Sequence, residues 1–130
     1  MKFTKLEMAK ALSKDSRIEI KKGFLGMGAT ATYTTTGSKL QVIKAECTLE
    51  CGQRMERIIN SKDAALDKQL SVATKFKETV PGQCMLEAVV SADHAFVAMR
   101  LYRFTELGFA ATTDLAVYEG DTARKVAQLF

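Results

Sequence analysis

Three cysteines and one histidine are the residues of this 130-residue chain best suited to ligating a metal or attacking an electrophilic carbon. Cys47, Cys51, Cys84 and His94 supply four sulfur and nitrogen donors, the number that a tetrahedral zinc site takes. Their spacing argues against such a site. Cys47 and Cys51 close a run of alternating apolar and polar residues, whereas a zinc knuckle gathers its paired cysteines on a tight turn. A second arrangement pairs Cys84 as nucleophile with His94 as base across a hairpin, with Asp93 orienting the imidazole. The simpler reading makes the cysteines small apolar core residues and His94 a polar turn residue in "SADH". No paired carboxylates or nucleophile-elbow motif accompany them, so familiar hydrolase schemes leave no signature. The expectation is a non-enzymatic chain without metal or cofactor.

Phosphate chemistry is the next test, because "KKGFLGMGATATYTTTGSK" sets three glycines behind two lysines. Gly23, Gly26 and Gly28 run G-x-x-G-x-G, which is neither the dinucleotide fingerprint nor a Walker loop. A phosphate loop also opens a helix, and "ATATYTTT" is a strand composition. The glycines therefore read as a turn or bulge leading into a β-hairpin.

Nucleic-acid chemistry rests on "HAFVAMRLYRF" and on the basic N-terminal end. Ala95, Phe96 and Val97 match the centre of an RNA-recognition strand, but its basic-glycine pair and its flanking aromatics are missing. Arg100, Tyr102 and Arg103 offer planar groups for stacking on bases, and Lys2, Lys5, Lys10, Lys14, Lys21 and Lys22 offer charge to phosphates. Core packing accounts equally well for Phe96 and Phe104. Single-stranded nucleic-acid binding is therefore carried as the alternative function.

These residues need elements to place them. Thr4 and Glu7 have the form of a capping box, which predicts a helix over about Lys5 to Ser13. "RIEIKK" and "ATATY" predict two strands, with "TGSK" as a hairpin turn. "LQVIKAECTLEC" predicts a strand in which Ile43, Ala45, Cys47, Leu49 and Cys51 face a core. "QRMERIIN", residues Gln53 to Asn60, is read as a further strand, although Met55, Ile58 and Ile59 also fit a helical turn. Ser61 is the expected N-cap of a long helix carrying Leu66, Leu70, Ala73 and Val80 on one stripe and stopped by Pro81 and Gly82. "QCMLEAVV" and "AFVAMRLYRF" predict a second hairpin, "DLAVYE" a last strand, and Asp121 the cap of a final helix with Ala123, Val126, Ala127 and Phe130 on one face. Together these predict one α+β domain over residues 1–130, with an antiparallel sheet of about five to seven strands and helices largely on one face.

Composition agrees with a single packed domain: 47% of residues are hydrophobic and 26% charged. Residues 1–17 have lysines every few positions and no apolar h-region, so they do not read as a signal peptide, and nothing approaches a membrane span. Three cysteines cannot all pair within one chain, which fits thiols in the cytoplasm. The net charge of +4 is concentrated in residues 1–22. A solvated lysine-rich surface explains that as well as an acidic partner does. The order of elements resembles that of small secretion chaperones and overlaps ferredoxin-like arrangements, without a diagnostic residue motif of either, so no functional residue is carried over. The function expected is a small cytoplasmic interaction module that binds a macromolecular partner, most simply a protein, through a sheet edge or helical face, with homodimer formation compatible.

Overall fold

The computed structural model describes residues 3–22, 29–73, 75–76 and 82–130. The glycine turn at residues 23–28, the Pro81 helix stop, Val80 and Lys2 lie outside the described residues, as does the side chain of Lys22. Seven strands form one antiparallel sheet: β1 (Ile18–Lys22), β2 (Ala29–Tyr33), β3 (Ser38–Cys47), β4 (Cys84–Ser91), β5 (Phe96–Thr105), β6 (Gly108–Ala111) and β7 (Ala116–Glu119). The first six lie side by side in chain order, and β7 pairs with the first half of β5 on the edge whose second half is taken by β6. This is a meander of local connections, unlike the interleaved strands of a split βαβ arrangement. A short 3-10 turn at Phe3–Lys5 precedes α1 (Ala9–Ser13); α2 (Leu49–Asn60) and α3 (Asp63–Val72) follow β3, and α4 (Gly120–Ala127) closes the chain.

The central hairpin β4–β5 explains the layering. All eight residues of β4 are buried, which is what a strand covered on both faces requires. Leu86, Ala88, Val90, Val97, Met99 and Leu101 point to a core shared with Met55 and Ile58 of α2, Leu66 of α3 and Val126 of α4. Val89, Phe96 and Ala98 point the other way, to a core shared with Phe3, Leu6, Met8 and Leu12 from the N-terminal turn and α1. Three helices thus cover one face and α1 the other. The sheet curls around α1, because Glu119 at the end of β7 reaches the opposite end of the sheet. It takes the Arg17 guanidinium at 2.6 Å and accepts the Tyr33 hydroxyl. No helix among the described residues is long and apolar enough to cross a membrane.

Several boundaries differ from those the sequence predicts. The alternating run ends at Cys47, and Leu49 and Cys51 belong to α2, where Thr48 is the N-cap and its hydroxyl accepts the Cys51 amide at 3.2 Å. Residues Gln53 to Asn60 are helix rather than strand, burying Met55, Ile58 and Ile59 at helical spacing. Ser61 closes α2 instead of opening α3, its hydroxyl donating to the Arg57 carbonyl at 2.6 Å. α3 stops at Val72, well short of Pro81. α1 begins at Ala9, not near Lys5: the Glu7 and Met8 amides donate to the Glu87 carboxyl, and the Thr4 side chain of the predicted capping box lies outside the described residues. Glu119, not Asp121, is the N-cap of α4, and Asp121 pairs with Arg124 at 2.9 Å.

The β4–β5 turn carries a titratable cap. The Asp93 carboxyl accepts from the Ser91 hydroxyl at 2.7 Å and the Ala95 amide at 3.1 Å. The Ser91 bond, with further donors, holds its pKa down at about 2. A carboxyl depressed in the folded state stabilises above its unfolded value, and that stabilisation is lost as pH falls from about 4 to about 2. The side chain is exposed, so the contribution is discounted to about 1 kcal/mol or less. Asp93→Ala is therefore expected to lower the urea midpoint near neutral pH, with the gap from the unsubstituted chain narrowing toward about pH 2. A gap independent of pH contradicts this assignment.

Candidate functional site

The β5–β6 hairpin is where the sheet leaves apolar side chains uncovered beside a strand edge. Gly108 has φ +114, a conformation open to glycine and costly for other residues. The Thr105 hydroxyl donates to its carbonyl at 2.8 Å and accepts the Leu107 amide at 3.2 Å, which pins the two-residue turn. β6 then runs only from Gly108 to Ala111, and all four residues are exposed. Leu107 at the tip is fully exposed and Phe109 is 43% exposed. Phe109 packs on Phe104 of β5, ring centroids 4.5 Å apart, and the Lys44 ammonium sits 6.0 Å from the Phe109 ring centre.

Backbone alternation decides which β6 groups are open. The Phe104 amide donates to Gln83 on the β4 side, so the neighbouring Arg103 turns its backbone groups toward β6, opposite Ala110. The Thr112 amide donates inward to Leu101 at 2.9 Å, in the same phase. Phe109 and Ala111 consequently aim their N–H and C=O groups away from β5, at an edge that no further strand among the described residues pairs with. From Gly108 to Thr113 there is no ionisable side chain. The opposite edge differs: β1 carries Glu19 and Lys21, ion-paired at 3.6 Å. Charge of that kind guards a strand edge against added strands, and β6 has none.

The residues singled out from sequence fall elsewhere. Cys47 and Cys84 are opposed in the β3–β4 register and buried, and Cys51 is half-buried on α2. Gly52 lets α2 lie against Cys84: a Cβ there stands 2.5 Å from the Cys84 sulfur. His94 is exposed in the hairpin turn with φ +60, at the far end of β4 from Cys84. An eight-residue strand separates the two by roughly 20 Å, so the Cys84, His94 and Asp93 triad is not assembled. Among the described residues no group of three or more His, Cys, Asp and Glu could hold a metal ion. The structure therefore brings together two of the four candidate ligands and parts them from His94.

Lys5, Lys10, Lys14 and Lys21 are exposed. Arg100 and Tyr102 share one face of β5, and Arg103 points to the other. The Arg100 guanidinium carbon lies 5.6 Å from the Tyr102 ring centre and its Nε donates to the Thr113 carbonyl at 3.3 Å. Tyr102 is 4% exposed, so the ring expected to stack on bases is covered. Burial, with the Glu87 carboxyl nearby, pushes its hydroxyl pKa upward. β6 is not among the strands that the sequence predicts. Its signal was "LGFAAT", an uncharged stretch behind a glycine turn, too short for alternation to register. No family model, curated protein or solved structure matches the chain.

Proposed function

We propose that this chain is a non-enzymatic, cytoplasmic protein-interaction module that takes up an extended segment of a partner protein along β6. The observation that carries the reading is the open edge at Phe109 and Ala111, exposed, uncharged and flanked by Leu107. Strand addition at such an edge draws affinity from main-chain hydrogen bonds and specificity from alternate side chains. Phe104 and Phe109 supply an apolar strip for one face of the incoming strand. The odd number of cysteines, three, fits a reducing compartment.

Affinity capture from the native host, with nuclease in one arm and Ala111→Pro in another, tests the reading. Proline at 111 removes an outward N–H without touching the β5 ladder, so fold stability should hold within about 1 kcal/mol. Binding of the captured protein should weaken by about tenfold or more, the worth of one to two lost main-chain bonds plus a steric block. A partner retained after nuclease and released by Ala111→Pro supports the proposal, and one indifferent to the substitution contradicts it. A second copy of the chain is the competing occupant, and sedimentation of the chain alone separates it. Capture lost only in the nuclease arm favours the nucleic-acid alternative, for which Lys5, Lys10 and Lys14 are exposed.

A further inference from the structure

Register fixes what lies beside the β6 edge on each face of the sheet. Arg103 of β5 stands opposite Ala110, so both side chains fall on the face that carries α2, while Phe104 and Phe109 share the other. Arg103 is exposed, and among the described residues none hydrogen-bonds or ion-pairs with its guanidinium. A cleft of about 260 Å³ adjoins it, bounded by Leu49, Gln53 and Glu56 of α2, by Leu101 of β5 and by Thr112 just past β6. On the β6 side of the arginine stand only small exposed residues, Ala110 in register and Thr112 diagonally.

A strand added at β6 runs roughly 10 Å from β5, two strand spacings away. The residue it sets beside Ala110 points to the Arg103 face, and the residues before and after it point to the face of Phe109 and Ala111. With only an alanine between them, a long acidic side chain on the added strand reaches the guanidinium and bonds it through two parallel N–H···O contacts. We propose, on the premise that β6 is the docking edge, that the partner segment is an extended strand carrying glutamate beside Ala110 and an apolar residue on each side of it. The apolar neighbours cover the Phe104–Phe109 strip, and the glutamate neutralises a guanidinium that the fold leaves unpaired. Lysine at that position sets like charges together and is selected against.

The probe is a capped heptapeptide with glutamate at its centre, valine on either side and two threonines at each end. It is titrated into the full chain and followed by amide NMR shifts at Phe109 and Ala111, with glutamine-centred and lysine-centred counterparts in parallel. The glutamate peptide should bind about threefold more tightly than the glutamine peptide, the worth of an exposed ion pair, and the lysine peptide more weakly than either. The preference should shrink as salt rises. Arg103→Gln should abolish it while leaving the glutamine peptide's affinity and the melting midpoint unchanged, because the side chain is exposed and holds no other described group. Saturable shifts of equal affinity for all three peptides, or a preference that survives Arg103→Gln, overturn this inference and leave β6 standing as the edge. Oligothymidylate that displaces the peptide from these amides assigns Arg103 to phosphate and overturns it as well. No saturable shift at Phe109 and Ala111 with any peptide at millimolar concentration removes β6 itself, and the inference with it.

Discussion

Gly82→Ala is expected to lower the thermal midpoint by roughly 10 °C or to prevent folding, a loss of about 3 kcal/mol or more. A Cβ built on Gly82 stands 2.8 Å from the Thr48 amide nitrogen and closer still to the Cys47 carbonyl. These are backbone atoms, so no side chain can swing aside. Cys47 ends β3 opposite Cys84, and Thr48 caps α2, so the added methyl must part the two central strands or undo the cap. Gly37→Ala is the control. Its φ is +71 but a Cβ meets nothing within 4 Å, so the cost is only the backbone strain that alanine incurs there, about 1 kcal/mol. Urea unfolding of both variants checks the contrast, and equal losses would contradict the account of Gly82 as a packing glycine.

Glu87→Ala is the second large effect, expected at about 3 kcal/mol. Glu87 is fully buried at the middle of the sheet. Its carboxyl oxygens accept the Glu7 amide at 2.9 Å and the Met8 amide at 3.2 Å, and the Lys44 ammonium lies 3.8 Å away. Truncation strands both amides and the ammonium together and removes the stem that fills the space. The loss should be local before it is global. Hydrogen exchange should quicken in residues 6–13 while β4 and β5 stay protected, because those strands keep a separate core against α2 and α4. Glu87→Gln keeps one acceptor oxygen and turns an amide donor toward the other N–H, which predicts an intermediate loss. A uniform loosening, or a cost below about 1 kcal/mol, would contradict the role of Glu87 as the tie for α1.

The sheet was legible where burial is two-sided. "QCMLEAVV" and "AFVAMRLYRF" are long apolar runs about a polar turn, and strands covered on both faces read that way. Segments that switch period were not. From Ile43 to Cys51 a two-residue repeat continues unbroken in the letters, but the chain turns into α2 at Thr48, and the helical spacing of Met55, Ile58 and Ile59 was the contrary signal. Ser61 illustrates a different limit: a hydroxyl that can open a helix can equally donate to a carbonyl and close one. The tie from Glu87 to the Glu7 and Met8 amides spans most of the chain, and no local pattern announces it. The candidate edge was missed for a related reason. "GFAA" is apolar, and apolar residues are expected inside; only the pairing of β5 with β6 and the end of the strand order reveal that all four are exposed.

Amide hydrogen exchange at Phe109 and Ala111, with and without the captured partner, tests the central claim most directly. In the chain alone both amides should exchange quickly, as groups on a free edge, while Ala110 is slowed by its place opposite Arg103. On addition of the partner, Phe109 and Ala111 should become protected together, with little change at β1. If they are already protected in the monomeric chain, or stay fast when the partner is bound, the β6 edge is not where this protein makes its contact.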